Sequence, residues 1–261
     1  MTSNPVRVEC RGAIGLLTLN RAEQLNTLTV PMLLTMERAL SALEQNTDVR
    51  VIIVTASGER AFIAGGDIAD LTSRGGLAHY IEFGQVVHRV FRRFEACDKP
   101  TIAAVNGWAL GGGAEFLLTL DIRLIAEEAK VGLPEIKLGL FPGGGGSQRL
   151  MRQVPLCRAK ELMFIGEPVT AAEAVALGLC NRAVPRAQLY EEAFRLAECI
   201  AGKSPLTLKL LKRSMLHGTE MPLAAALEYE QALMGLVLDS EDAHEGCRAF
   251  LEKRPPKFTG S

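Results

Sequence analysis

Apolar positions recur along this chain with two alternating patterns. AIGLLTLN at 13–20 is a nearly unbroken apolar run of strand length, and VRVIIVTAS at 49–57 is another, rich in β-branched residues. Between them, VPMLLTMERALSALEQN at 30–46 spaces Met32, Leu33, Met36, Leu40 and Leu43 as one helix face. The alternation continues with a helical stretch over 77–95, whose expected buried side is Tyr80, Ile81, Val87, Val90, Phe91 and Phe94 and which DKP at 98–100 stops. TIAAVNG at 101–107 then predicts a strand, GGGAEFLLTL at 111–120 a short helix, and DIRLIAE at 121–127 a strand. This rhythm predicts an α/β protein with parallel pairing.

Past residue 157 the pattern turns helical. TAAEAVALG at 170–178 opens with Thr170 and Glu173, a capping box, and ends on Gly178. NRAVP at 181–185 returns briefly to strand before a helix over about 188–201. From Ser204 onward only helices are predicted. The first starts with Ser204 at its N-cap and Pro205 at its first position, with Gly218 past its end. The second, MPLAAALEYEQALMGLVL at 221–238, is apolar around much of its girth (Leu223, Leu227, Leu233, Leu236, Val237, Leu238). The third follows Ser240 with acids in its first turn. A helix apolar on several sides wants a partner on each, so oligomerisation is expected.

Composition narrows the class. A chain of 261 residues, 48% hydrophobic and 23% charged with a formal net charge of −1, has a sizeable core and no electrostatic footprint for nucleic acid or an acidic membrane. The basic KLLKR at 209–213 reads as a solvated helix face. No apolar run reaches the roughly 18 residues of a membrane span, and MTSNPVRVEC has the look of neither a signal nor a transit peptide. Six scattered cysteines (10, 97, 157, 180, 199, 247) read as reduced, buried thiols of a cytoplasmic protein. The four histidines share no metal-ligand spacing with them, so no metal is expected.

Three stretches carry chemistry. NGWALGGGAE at 106–115 sets Gly111, Gly112 and Gly113 ahead of a helix, exposing backbone N–H donors at a positive helix end. A phosphate loop would need Lys and Ser or Thr where Ala114 and Glu115 stand, and the dinucleotide fingerprint fails at Phe116. A glutamate there repels phosphate but serves as acid or base beside a carbonyl whose oxygen is turning negative. VGLPEIKLGLFPGGGGSQRL at 131–150 supplies a second acid, Glu135, after Pro134 at the end of a short strand, and four glycines leading to a helix near Ser147. AFIAGGDIADL at 61–71 reads as an exposed loop with a turn at Gly65-Gly66 and Asp67 capping a short helix. A free N–H at Ala64 would be the second oxyanion donor.

Together FIAGGDI, AAVNGWALGGGAE, DIRLIAEEAKVGLPEIKLGLFPGGGGSQRL and GEPVTAAEAVALGLCNRAVP resemble, in order and over essentially the whole chain, the enoyl-CoA hydratase/isomerase (crotonase) family. The resemblance implies a spiral of repeated ββα units over 1–200, holding the acyl-CoA and catalytic site, and a helical trimerisation region over 201–261. It implies an oxyanion hole from the N–H groups of Ala64 and Gly112, and two catalytic glutamates at Glu115 and Glu135. Many relatives that shift double bonds or remove halide lack one of these acids; this chain keeps both, which favours a hydratase of 2-enoyl-CoA thioesters over an isomerase, with fatty acid β-oxidation the setting that the resemblance implies.

Substrate contacts fall on Ala22, Ala64, Gly65, Gly66, Asp67, Ile68, Gly111 and Gly112, with Lys253 matching a residue that reaches a neighbouring subunit's nucleotide. Coenzyme A arrives as part of the substrate, and no cofactor is implied. The expected assembly is a trimer or a dimer of trimers. An isomerase, or a hydratase of branched or aromatic acyl chains, stays open; Leu71, Leu133, Leu140 and Phe141 are the expected pocket lining. A serine hydrolase fails because Arg149 stands where the nucleophile elbow needs glycine. A non-catalytic or RNA-binding relative is disfavoured by neutral charge and two intact acids.

Overall fold

The computed structural model describes residues 4–73 and 75–261. Strand β1 (Val6–Arg11) turns back antiparallel onto β2 (Ile14–Leu19), and helix α1 (Val30–Gln45) leads to β3 (Val51–Ala56), which lies parallel to β2. Thr29 caps α1 by accepting from Met32 N–H, and Met32, Leu33, Met36, Leu40 and Leu43 are all buried, as their spacing predicts.

Three strand–strand–helix turns follow. The first is β3, β4 (Ala61–Ile63) and the helical run α2 (Ile68–Thr72), α3 (Gly76–His79), a π-helical turn (Tyr80–Gly84) and α4 (Gln85–Glu95). The second is β5 (Thr101–Val105), β6 (Trp108–Leu110) and α5 (Gly112–Leu117). The third is β7 (Ile122–Ala126), β8 (Lys130–Gly132), a 3-10 turn (Pro134–Leu138) and α6 (Gly146–Gln153). The chain continues through α7 (Leu156–Ile165), β9 (Val169–Thr170), α8 (Ala171–Ala176), β10 (Arg182–Val184) and α9 (Arg186–Ala201).

Each turn of this spiral gives its first strand to a six-stranded sheet, β1-β2-β3-β5-β7-β10, and its second to a four-stranded sheet, β4-β6-β8-β9. Pairing is parallel except at β1–β2 and β8–β9. The predicted α/β fold with parallel pairing is therefore what forms. Phe116 of α5 sits at the centre of the core, its ring 4.8, 5.4 and 6.4 Å from those of Phe94, Phe91 and Phe62. Aromatic contacts on three sides fix α5 against both α4 and β4. Buried Arg123 donates to the Leu118 and Leu120 carbonyls just past α5, satisfying acceptors that the helix end leaves open.

Helices α10 (Pro205–Gly218), α11 (Leu223–Leu238) and α12 (Glu241–Leu251) close the chain. Ser204 and Ser240 cap α10 and α12, and Thr170 with Glu173 forms the capping box of α8. The basic stretch at 209–213 is a solvated face at Lys209 and Arg213, which pair with Asp98 while more than a third exposed, but Lys212 turns inward and pairs with Asp121, fastening α10 to the core. Along α11 only Val237 is buried; Leu223, Leu227, Leu236 and Leu238 stand exposed.

Some expectations fail for local reasons. The 77–95 helix is broken by its π-helical turn, whose wider ring shifts the phase of everything before it. Tyr80 and Ile81 are consequently exposed, whereas Val87, Val90, Phe91 and Phe94 are buried. The supposed loop at 61–63 is a fully buried strand, β4. Four of the six cysteines (10, 157, 199, 247) are exposed, and only Cys97 and Cys180 are buried. Among the described residues no helix is long and apolar enough to cross a membrane.

Candidate active site

The three glycines before Glu115 meet three separate demands. Gly111 takes φ 52°, ψ −122°, a conformation for glycine, and a Cβ there would stand 3.1 Å from Glu135 Oε1. Gly113 packs α5 directly onto β4, where a Cβ would run into the Ile63 carbonyl. Gly112 faces a gap: its Cβ would lie 3.1 Å from Leu28 Cδ1 and 3.6 Å from Gly66 N. Opening a helix, its N–H has no intrahelical acceptor.

Gly66 brings the second donor. The loop 25–28 runs beside residues 64–67, tied by Ala64 N–H to the Leu25 carbonyl (3.1 Å), Leu28 N–H to the Gly65 carbonyl (2.9 Å) and Asp67 N–H to the Leu28 carbonyl (3.1 Å). Asn26, itself buried, secures this loop by accepting from Arg21 N–H and donating to the Ser57 and Ala61 carbonyls. Ala64 N–H is thus engaged, which contradicts its expected role as a free donor. Gly66 N–H donates to no described residue and adjoins Gly112. Left-handed Gly65 (φ 108°) breaks the strand repeat here: Ala64 and Asp67, three residues apart, both donate to the 25–28 loop, and the Leu28–Gly66 bridge between them uses the Gly65 carbonyl and the Asp67 N–H rather than the Gly66 N–H.

Two carboxylates border these donors. Glu115, the third residue of α5 after Gly112, is 5% exposed. Its Oε1 accepts from Gly144 N–H and Gly146 N–H, both at 2.8 Å. The loop approaches so closely that a Cβ on Gly144 would stand 2.6 Å from Glu115 Oε2 and one on Gly146 2.8 Å from its Cγ. Burial pushes the Glu115 carboxyl above the usual range, opposed by those two N–H groups and by Arg149. Glu135 sits in the 3-10 turn after β8, held by Pro134 at its start and left-handed Gly139 at its end. Its Oε2 is buried without a hydrogen-bond partner. Burial, with the negative charge of Glu115 adding to it, pushes Glu135 up to about 7. Two acids near a pair of free N–H groups can exchange protons around a small molecule whose oxygen is stabilised by those donors.

Other predicted contacts divide. Gly65 (φ 108°) and Asp67 shape the turn, and Asp67 caps α2 by accepting from Ala69 and Asp70 N–H. Ile68 is exposed at the start of α2, and Ala22 opens a 3-10 turn beside Gly58. Lys253 lies beyond α12 and makes no ion pair among the described residues. Of the expected pocket lining, Leu133 is buried against Ala114, Leu117 and Leu150 around a small apolar cavity behind α5, whereas Phe141 is 73% exposed. The Gly144 and Gly146 N–H groups went unassigned from sequence; the four-glycine run was their visible signal. Phe83, whose ring lies 3.8 Å from where a Gly66 Cβ would be, carried no such signal. Among the described residues no cluster of His, Cys, Asp or Glu could hold a metal ion.

Comparison with known proteins shows the family. The sequence model described as "Enoyl-CoA hydratase/isomerase" matches residues 9–261. The chain is 37% identical over 254 residues to a short-chain-enoyl-CoA hydratase of Clostridium acetobutylicum, covering 97% of each, and 37% identical to a crotonyl-CoA hydratase of Syntrophomonas wolfei, covering 99% of each. The crystal structure of an enoyl-CoA hydratase from Bacillus anthracis superimposes with a TM-score of 0.95 at 34% identity, over 99% of this chain and 100% of that one. With the family model matching residues 9–261 and relatives 37% identical over nearly their whole length, this chain belongs to the enoyl-CoA hydratase/isomerase family.

Proposed function

We propose that this protein is an enoyl-CoA hydratase, adding water across the 2,3 double bond of a 2-enoyl-CoA thioester to give a 3-hydroxyacyl-CoA. The observation that carries this reading is the pair of acids: Glu115 clamped by two backbone N–H groups and Glu135 with a buried, unpartnered oxygen, both beside the free N–H groups of Gly66 and Gly112. The thioester oxygen would accept from Gly66 and Gly112, the N-terminal end of α5 adding partial positive charge. Glu115, ionised, takes a proton from water as its oxygen bonds to the β-carbon. Charge runs onto the thioester oxygen as an enolate, and Glu135, protonated, delivers a proton to the α-carbon. The active pair therefore carries one proton, and apparent ionisations belong to the pair.

Retention of both acids favours hydration over isomerisation, since a double-bond shift has no use for a second group gripping water. Crotonyl-CoA hydration, followed as loss of conjugated-thioester absorbance, tests the reading. The expected result is rapid loss with wild-type protein and a large deficit in Glu135→Gln; accumulation of a 3-enoyl-CoA product instead would establish isomerisation.

The exposed apolar side of α11 with Phe250 and Leu251 supports a homo-oligomer, a trimer or dimer of trimers, in which Lys253 reaches the nucleotide of a neighbour's substrate. Sedimentation at micromolar concentration should give a multiple of three chains; a monomer would overturn it. The cytoplasm as location and acyl-CoA as the partner, with neither nucleic acid nor membrane, complete the reading.

A further inference from the structure

Arg149 lies one layer behind the acids and plays no part in the chemistry above. Its side chain is 13% exposed and forms a two-pronged pair with Glu95 at the end of α4: Nε to Oε1 and Nη2 to Oε2, each 2.8 Å. Such a planar fork fixes orientation as well as charge. The third guanidinium nitrogen, Nη1, reaches the Gly144 carbonyl at 3.4 Å, and the guanidinium lies so close under the loop that a Cβ on Gly145 would collide with it. Gly144 and Gly146, on either side, are the residues whose N–H groups hold Glu115 Oε1. The four-glycine loop is thus gripped from below by α4 and α6 and grips Glu115 from above.

From this arrangement we infer that Arg149 is a positioning residue for the reaction: braced by Glu95, it holds the 143–146 loop in the shape that clamps Glu115, and its charge favours the ionised form of that buried carboxyl. The inference rests on Glu115 acting as the base. The charged groups around it are few. Glu115 is faced by Glu135 from the 3-10 turn and Arg149 from α6; Arg149 is faced by Glu95 and His88 from α4, with Arg92 beyond His88. His88 stays neutral near pH 7, because burial and then Arg149 and Arg92 lower its pKa. Arg149 is the cation that acts on Glu115.

The test is the pH profile of kcat/KM for crotonyl-CoA hydration in Arg149→Met, Arg149→Lys, Glu95→Gln and Glu115→Gln, each checked for folding by circular dichroism. Loss of the cation raises the proton affinity of the acid pair, so the acidic limb of Arg149→Met moves to higher pH, with a deficit about tenfold larger at pH 6 than at pH 9. Arg149→Lys keeps charge without the fork: kcat falls and the limb stays in place. Glu95→Gln frees the fork, so kcat drops about tenfold with KM within about twofold. A folded Arg149→Met with an unmoved limb overturns the charge role, and Glu95→Gln with wild-type kcat overturns the brace. If Arg149→Met does not fold, an upward limb shift in Arg149→Lys matching its loss of kcat overturns the inference instead. Glu115→Gln separates the two levels: full activity there sinks Glu115 as the base and the inference with it, whereas inactivity alongside an unmoved Arg149→Met limb sinks the inference alone.

Discussion

The helix that carries Glu115 and the turn that carries Glu135 hold their acids by opposite means. Around Glu115 nearly everything is fixed: Phe116 is wedged among three aromatic rings, Arg123 ties off the helix end, and two N–H groups clamp one carboxylate oxygen. Around Glu135 little is: a five-residue 3-10 turn, and a buried oxygen with no partner. The contrast assigns roles by physics. Burial pushes both carboxyls up; at Glu115 two N–H donors and Arg149 oppose that push, which suits it to take a proton, whereas Glu135, left bare, is suited to hold one and give it up.

Replacing either acid tests that contrast hardest. Glu115→Gln and Glu135→Gln should each lose roughly 10²–10⁴ in kcat for crotonyl-CoA hydration. They should differ in stability: Glu115→Gln gives up charge-assisted hydrogen bonds and should lower the urea midpoint by the equivalent of about 1–2 kcal/mol, while Glu135→Gln should leave it unchanged at pH 5 and should not lower it at pH 8, where the wild type carries a buried, unpartnered carboxylate. Equal stability losses would erase the distinction.

The glycines sharpen it next. Gly112→Ala should fold but lose about 10²-fold in kcat/KM, because a methyl group beside Gly66 N displaces the thioester oxygen. Gly113→Ala should instead destabilise by more than about 3 kcal/mol in chemical denaturation, since its Cβ meets backbone rather than a movable side chain.

Proton affinity gives a smaller, graded effect. The folded-state pKa of Glu135, about 7, lies above its ordinary 4.5, so folding favours the protonated form. That contribution is complete below 4.5 and is lost as pH rises through 7; the Tm of the wild type relative to Glu135→Gln should therefore decline between pH 5 and 8. Hydration should fall across the same upper range as the pair loses its last proton. The reverse dehydration should share that profile, since hydration releases no net proton. The smallest effect belongs to the far end of the molecule. Lys212→Met unfastens α10 from Asp121 and should cost about 1 kcal/mol with kcat unchanged.

The sequence carried the fold where local signals were strong. Helical spacing in α1, the capping box of α8 and the serine caps of α10 and α12 all form as read. It failed where tertiary geometry decides. Strands β4 and β6, three residues each, are too short for a period to emerge, and the π-helical turn at 80–84 inserts a phase shift that no spacing rule foresees. Both acids and Gly112 could be picked out because a charge after a glycine run asks for a reason. Which N–H in the FIAGGD turn is free could not, because that depends on how loop 25–28 is threaded beside it: Ala64 is bonded and Gly66 is open. Arg149 was noted only as the residue that spoils a nucleophile elbow; its pairing with Glu95, 54 residues away, exists only in the fold.

The most direct test of the two acids working as one unit is a double-mutant cycle on crotonyl-CoA hydration, comparing Glu115→Gln, Glu135→Gln and the doubly substituted enzyme. If a single water and a single proton pass between them, the double variant should be no more than about tenfold slower than the slower single variant. Losses that multiply in full would mean that the two carboxylates act independently, and the account would be wrong.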